Sequence, residues 1–222
     1  MQSSGTPVIQ TSASSAEGAE RWATPADHEA IEKTIYALKQ RGIHAELASD
    51  RSAALARLTE LIPAGAELMT GASRTLEEIG FLETLKSNAH GWRNLKAEVL
   101  AEKDPAKQTE LRLRSTLSEY FVGSVHAVTQ EGEVVAASAG GSQLAAYAYG
   151  AKNVIWVVGT QKIVRSLDDA LARIREHSLP LEDRRMKSVG YPGSFVGKIL
   201  IVEREDPRHT ANLIFVDEPL GF

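Results

Sequence analysis

Residues 120–164, YFVGSVHAVTQEGEVVAASAGGSQLAAYAYGAKNVIWVVGTQKIV, decide how this chain is read. The stretch opens on a short apolar run, Tyr120 to Val125, of a length suited to a buried strand. Gln130-Glu131-Gly132-Glu133 then reverses the chain between Ala127-Val128 and Val134-Val135, which predicts a small hairpin. A Gly-Gly-Ser step, Gly140 to Ser142, opens a short alanine-rich helix over residues 143–149. The run Val154-Ile-Trp-Val-Val158 is apolar on both alternations, as a strand covered on two faces must be, and it ends at Gly159-Thr-Gln-Lys162. Strand, glycine turn, helix and strand make one parallel α/β unit. Ligands of open α/β sheets collect at the carboxyl ends of the strands, where His126, Gly140 to Gln143 and Lys162 would fall.

Working outward, the N-terminal side repeats the theme. Ile31, Ile35 and Leu38 lie at helical spacing over residues 27–41, residues 43–48 alternate as a strand, and Leu55, Leu58 and Ile62 mark a second helix capped by Ser49 or Asp50. Residues 66–70 form the next strand and run into Gly71-Ala72-Ser73-Arg74-Thr75. Thr75 and Glu78 have capping-box spacing, and Leu76, Ile79 and Leu82 give the helix face behind them. A tight, well-capped turn explains this motif; so does an anion site, with free backbone N–H groups and Arg74 facing a negative ligand. The same pair of readings holds at Gly140, Gly141, Ser142 and Gln143. Residues 88–105 read either as a lid over the crevice or as a surface excursion, with Trp92 and Leu95 as anchors. Residues 106–117 read as a helix with Leu111, Leu113 and Leu117 inward. A helix over residues 167–177 turns Leu171 and Ile174 inward. Residues 179–194, with two prolines and two glycines, read as irregular, and Arg184, Arg185 and Lys187 as a basic run. Residues 198–203 and 212–216 are the last two strands.

Composition bounds the function. The net charge of −4 argues against binding driven by the nucleic-acid backbone. No apolar run approaches the roughly 20 residues that a spanning helix needs, and the absence of a secretory-type N-terminus makes the cytoplasm the expected location. Residues 1–22, rich in Ser, Thr, Ala and Gly, read as a loosely attached tail before a single domain over 23–222. There are no cysteines, so these residues offer no thiolate for a disulfide, an Fe–S cluster or zinc, and the six histidines are too scattered to predict a metal site. No nucleotide-binding glycine fingerprint appears, and no cofactor is expected.

The Gly-Ser turn and the strand ending in Lys162 resemble the superfamily of ribose-5-phosphate isomerases, glucosamine-phosphate deaminases and CoA transferases. Within it, Met69-Thr-Gly-Ala-Ser-Arg-Thr-Leu-Glu-Glu-Ile-Gly80 and the closing Val216-Asp-Glu-Pro-Leu-Gly-Phe222 resemble the LUD (lactate-utilization) domain family, over residues 29–222. The resemblance implies an α/β fold with a mostly parallel central sheet, helices on both faces and the antiparallel hairpin as part of that sheet. It implies a tail folded back near the site, and strengthens the anion reading of residues 71–75 and of Lys162. At His126 the relatives carry Asp or Asn, so this residue is either an acid–base group or a structural hydrogen-bonding one. Many relatives carry a cysteine cluster in the region of residues 179–194; here it is absent.

Three readings follow. The first is a substrate-binding or accessory subunit in the oxidation of L-lactate to pyruvate, acting with iron–sulfur partner proteins. The second is a self-sufficient isomerase- or transferase-type enzyme on a sugar phosphate, organic acid or CoA ester, with the turn residues and Lys162 holding the anion and His126 and Glu78 exchanging protons. The third is a ligand-sensing module without chemistry. Expected partners are a small anionic ligand, the iron–sulfur proteins and further copies of the chain, with neither nucleic acid nor membrane.

Overall fold

The computed structural model describes residues 21–87 and 90–222; residues 1–20, which carry most of the expected tail, lie outside the described residues. Trp22, assigned to that tail from sequence, is buried at 3% exposure against the small sheet described below.

The first full helix among the described residues is α1 (His28–Gln40), capped by Asp27, whose carboxylate accepts the Ala30 N–H at 2.8 Å. Strand β1 (His44–Ala48) and helix α2 (Arg51–Glu60) follow. Asp50 caps α2 by accepting from Ser52 and Ala53, in the role that a short polar side chain plays at a helix start. β2 (Glu67–Thr70) leads into α3 (Arg74–Glu78) and α4 (Phe81–Ser87). The single helix expected here is broken at Gly80, whose φ of +83° is left-handed. β3 (Arg93–Asn94), α5 (Leu95–Ala101) and α6 (Pro105–Arg114) precede β4 (Tyr120–Gly123). β5 (Ala127–Thr129) and β6 (Val134–Ser138) form the hairpin, and α7 (Ser142–Ala145) continues into a π turn, Ala146–Gly150. β7 (Asn153–Gly159), a 3₁₀ turn (Thr160–Lys162) and β8 (Ile163–Val164) come next. α8 (Leu167–Arg173), a second π turn (Ile174–Ser178) and α9 (Leu179–Ser188) run on without a break. β9 (Lys198–Val202) and β10 (Thr210–Val216) close the order.

The main sheet has the order β1-β10-β7-β4-β2-β3, with every pairing parallel. Its central strands are buried on both faces and alternate accordingly. Val154, Trp156 and Val158 pack on one side with Phe121, Leu213 and Phe215. Ile155 and Val157 pack on the other with Val122, Ile214 and Val216, under α2, α3 and α4. The hairpin does not join this sheet, as the sequence reading expected. It forms a second sheet, β8-β5-β6-β9, in which β5–β6 and β6–β9 are antiparallel and β5–β8 parallel. The connections between β4 and β7 are long enough to build an independent layer, and the apolar face of α8 covers it through Ala170 and Ile174.

Two helical expectations change. Leu113 and Leu117, read as inward, are 67% and 69% exposed, and α6 buries no residue. Residues 179–188, read as irregular, are helical, with Pro180 placed just after the π turn Ile174–Ser178, where the regular hydrogen-bond ladder is already interrupted. Among the described residues no helix is long and apolar enough to cross a membrane.

Candidate functional site

Three neighbouring strands of the main sheet, β7, β4 and β2, end at one crevice, a cavity of about 490 Å³ within the usual size of a small-molecule site. The end of β2 supplies residues 71–75, the end of β4 supplies Ser124 and His126, and the end of β7 supplies Lys162. The small sheet contributes Ala137, Ser138 and the following turn with Gly140, Ser142 and Gln143. The continuous α8–α9 helix closes the far wall with Ile174, Ser178, Leu179 and Met186.

Small residues let these parts meet. A side chain at Gly71 would place its Cβ 2.6 Å from Gln143 Oε1, so the two glycine turns touch across the crevice. A Cβ at Gly123 would lie 1.9 Å from the Tyr147 hydroxyl. That hydroxyl donates to the Ser124 carbonyl at 3.2 Å, and the ring packs edge-on against Phe121 and Trp156, which fixes the end of β4.

Lys162 is the centre of the floor. Its residue is 1% exposed, and its Nζ donates to Thr75 Oγ1 at 3.1 Å and to Ser124 Oγ at 3.2 Å. Behind it lies Arg173, fully buried, whose guanidinium donates to the His126 carbonyl at 2.6 Å, Ser178 Oγ at 3.1 Å and the Trp22 carbonyl at 3.3 Å. The π turn explains the Ser178 contact: a five-residue period puts Arg173 and Ser178 on one face. Neither cation has an ion-pair partner among the described residues. Burial pushes the Lys162 amine down to about 7; Arg173 pushes the same way, and Glu78 opposes. Burial likewise lowers Arg173 to about 9, which leaves it charged at neutral pH. A buried cation without a counter-ion is costly unless an anion arrives, so the floor is an anion-seeking surface.

His126 faces the same cavity with Nδ1 already engaged, accepting the Ala137 N–H at 3.1 Å. The hydrogen-bond network therefore assigns its neutral-state proton to Nε2. Burial, then Lys162 and Arg173, hold its pKa down to about 3, and His177 falls to about 4 through burial, Arg173, Lys162 and Arg184. Burial and the two cations favour the neutral imidazole of His126 at neutral pH.

The sequence-derived residues separate into floor and rim. Thr75 and Lys162 are hydrogen-bonded in the floor. Gly71, Ala72, Ser73, Arg74, Gly140, Ser142 and Gln143 line the cavity. Gly141 does not line it; with φ +95° it makes the turn, donating to Ser138 Oγ at 2.9 Å. Ser73, not Thr75, caps α3, accepting from Leu76 N at 3.3 Å, so the expected capping box is absent. The capping-box carboxylate, Glu78, instead accepts the Gly221 N–H at 2.7 Å and pins the C-terminal segment, as Gln161 does by donating to Leu220 O. Arg74 is already held by Glu77 at 2.6 Å, and Arg185 by both oxygens of Glu182 at 2.7 Å. Both helices behind the glycine turns are short, α3 five residues and α7 four before its π turn, so little macrodipole reaches the site.

Sequence reasoning missed Arg173, Ser124, Ser178 and Lys96. The amine of Lys96 donates to Gly71 O at 3.1 Å and holds the turn after β2. An arginine one position from the predicted inner face of an amphipathic helix was the available signal for Arg173.

Comparisons with known proteins give the family and the fold. The family model for the LUD domain matches residues 31–199. A DUF162 family protein from Deinococcus radiodurans is 9% identical and superposes with a TM-score of 0.52, over 86% of this chain and 99% of that one. Ribose 5-phosphate isomerase A from Neisseria gonorrhoeae is 15% identical over 70% of this chain and 76% of its own, with a TM-score of 0.35. No curated protein matches the sequence.

Proposed function

This chain belongs to the LUD domain family, and on that premise we propose that its crevice binds a small anion of the lactate and pyruvate class within lactate utilization. One observation carries the reading: Lys162 lines the crevice and Arg173 lies buried behind it, neither with a carboxylate partner among the described residues, so a ligand carboxylate or phosphate supplies the missing charge. Lys162, Thr75 and Ser124 bind the anion, and His126 Nε2–H donates to a neighbouring hydroxyl or carbonyl oxygen of the ligand. The protein acts as the substrate-binding or accessory subunit. Iron–sulfur partners carry the electrons, since none of its 222 residues is a cysteine.

Ligand-induced stabilisation tests the reading on the purified chain. The panel is lactate, pyruvate, inorganic phosphate, ribose 5-phosphate and a CoA ester, each against chloride at equal ionic strength. A ligand at about a hundred times its Kd adds roughly 2.7 kcal/mol of stability by mass action, a rise of roughly 5–10 °C for a chain of this size. A selective shift with one of these anions is the expected result. No shift beyond chloride overturns the reading.

A further inference from the structure

We propose that Lys162 is a nucleophilic amine that captures the carbonyl group of an anionic substrate as an imine, making the crevice a covalent holding site for 2-oxo acids or open-chain sugar phosphates. This deepens the anion-site reading above and rests on it.

The geometry comes first. Lys162 lies in a wholly buried turn, Thr160–Lys162, at the carboxyl end of β7, and its side chain lines the cavity. Its Nζ has two acceptors, Thr75 Oγ1 and Ser124 Oγ, and no carboxylate. An ammonium carries three protons and would leave one without a partner; a neutral amine satisfies both of its N–H groups and keeps a lone pair over. Surroundings favour the neutral form as well: desolvation, then Arg173, lower the amine to about 7, and Glu78 pulls the other way. A surface lysine at neutral pH is an amine in roughly one molecule in a few thousand. Held down to about 7, Lys162 offers far more amine at neutral pH, the activation that burial beside a second cation gives a lysine nucleophile.

The step balances within the site. The Nζ lone pair forms a bond to the carbonyl carbon, and the π pair of the C=O bond moves onto oxygen, which takes a proton. The carbinolamine hydroxyl takes a second proton and leaves as water. Nitrogen's pair closes the C=N bond, so amine, carbonyl and one proton become iminium and water. The Ser124 hydroxyl, 3.2 Å from Nζ, is placed to relay a proton between nitrogen and oxygen, and His126 Nε2–H to hydrogen-bond the carbonyl oxygen. The new iminium charge is offset by the carboxylate or phosphate that the substrate brings.

Reductive trapping tests this. The full chain is incubated at pH 7 with pyruvate, or in a second arm with ribose 5-phosphate, in the presence of sodium cyanoborohydride. Intact mass and tryptic mapping then locate any adduct. The expected result is one reduced adduct per chain, blocking cleavage after Lys162 so that residues 153–165 emerge as one modified peptide, with at least tenfold higher occupancy than at any surface lysine. The arm that labels identifies the carbonyl source. Wild-type mapping carries the result even where Lys162→Met does not fold; where it does, the variant lacks the adduct. Adducts confined to surface lysines, or no adduct, overturn the proposal. Thermal shifts run without reductant separate the two readings: stabilisation without an adduct sinks the imine and keeps the anion site, and neither signal sinks both.

Discussion

The floor and the rim of the crevice carry the same kinds of residue and opposite electrostatics. On the rim, Arg74 and Arg185 are about half and one-third exposed, and each is tied to a glutamate on its own helix, Glu77 and Glu182. Pairs of this kind contribute roughly 0–1 kcal/mol and are screened by salt. On the floor, Lys162 and Arg173 are buried, hydrogen-bonded only to hydroxyls and carbonyls, and depress the histidines around them. A count of basic residues near the crevice would favour the rim. Desolvation favours the floor, because a charge is worth most where water and a counter-charge are both missing.

The largest effect is expected from Lys162→Met, which keeps the volume and removes the charge. Response to any anion should weaken by about 100-fold or more. Stability at pH 7 should rise, on the order of 2–4 kcal/mol, because a buried unpaired amine is gone. Chemical denaturation with and without ligand reads both. A variant that is less stable and still binds would dissolve the distinction between floor and rim.

Next comes Gly221→Ala. Gly221 has φ +60°, and a Cβ there would lie 2.4 Å from Thr75 Oγ1 and 3.3 Å from Lys162 Nζ. Backbone strain of this kind costs about 1–3 kcal/mol, and the shifted Thr75 should lower anion affinity as well. A neutral outcome in both assays would separate the C-terminal segment from the floor.

His126→Asn is the sharper cut. Asparagine Oδ1 can still accept the Ala137 N–H, whereas the Nε2–H donor is lost. The fold should persist and affinity should fall about tenfold, the worth of one hydrogen bond to a charged ligand. An unchanged affinity would leave His126 a purely structural residue.

The pH dependence follows from the same groups. Lys162 has a folded pKa of about 7 against an ordinary 10.5, so as pH rises from about 7 the unfolded chain holds a proton that the folded chain has released. Its contribution therefore makes stability rise with pH over that window, by up to about 1.4 kcal/mol per unit. His126 works in the acid range: ordinary 6.5, folded about 3, so stability is lost as pH falls from about 6.5 towards 3. Denaturation midpoints of wild type minus Lys162→Met should converge as pH rises from 7 to 10. Parallel curves would contradict a buried, depressed amine. Smallest of all, Arg74→Ala should change anion affinity by less than about threefold, since Glu77 already occupies that charge.

Much of this architecture was legible. The five apolar residues from Val154 to Val158 foretell a strand covered on both faces, Asp50 announces its helix, and Gly132 marks the hairpin turn at φ +90°. These features are local, so a short window carries them. The address of Lys162 was legible because the turn that follows a strand's carboxyl end has a fixed place in a parallel sheet. What escaped depends on contacts distant in sequence. Arg173 is buried only because a π turn brings Ser178 beneath it and Trp22 arrives from 151 residues away. Leucine spacing placed Leu113 and Leu117 inside, yet both are exposed, and α6 buries none of its residues. His126 was read from its type alone, and burial, then two cations from other elements, lower its pKa to about 3.

The most direct test of the central claim is a calorimetric titration of pyruvate and of phosphate into wild type, Lys162→Met and Arg74→Ala at pH 7. The account predicts binding to wild type and to Arg74→Ala with affinities within about threefold, and none measurable to Lys162→Met. Binding that survives in Lys162→Met and disappears in Arg74→Ala would place the anion on the rim and contradict it.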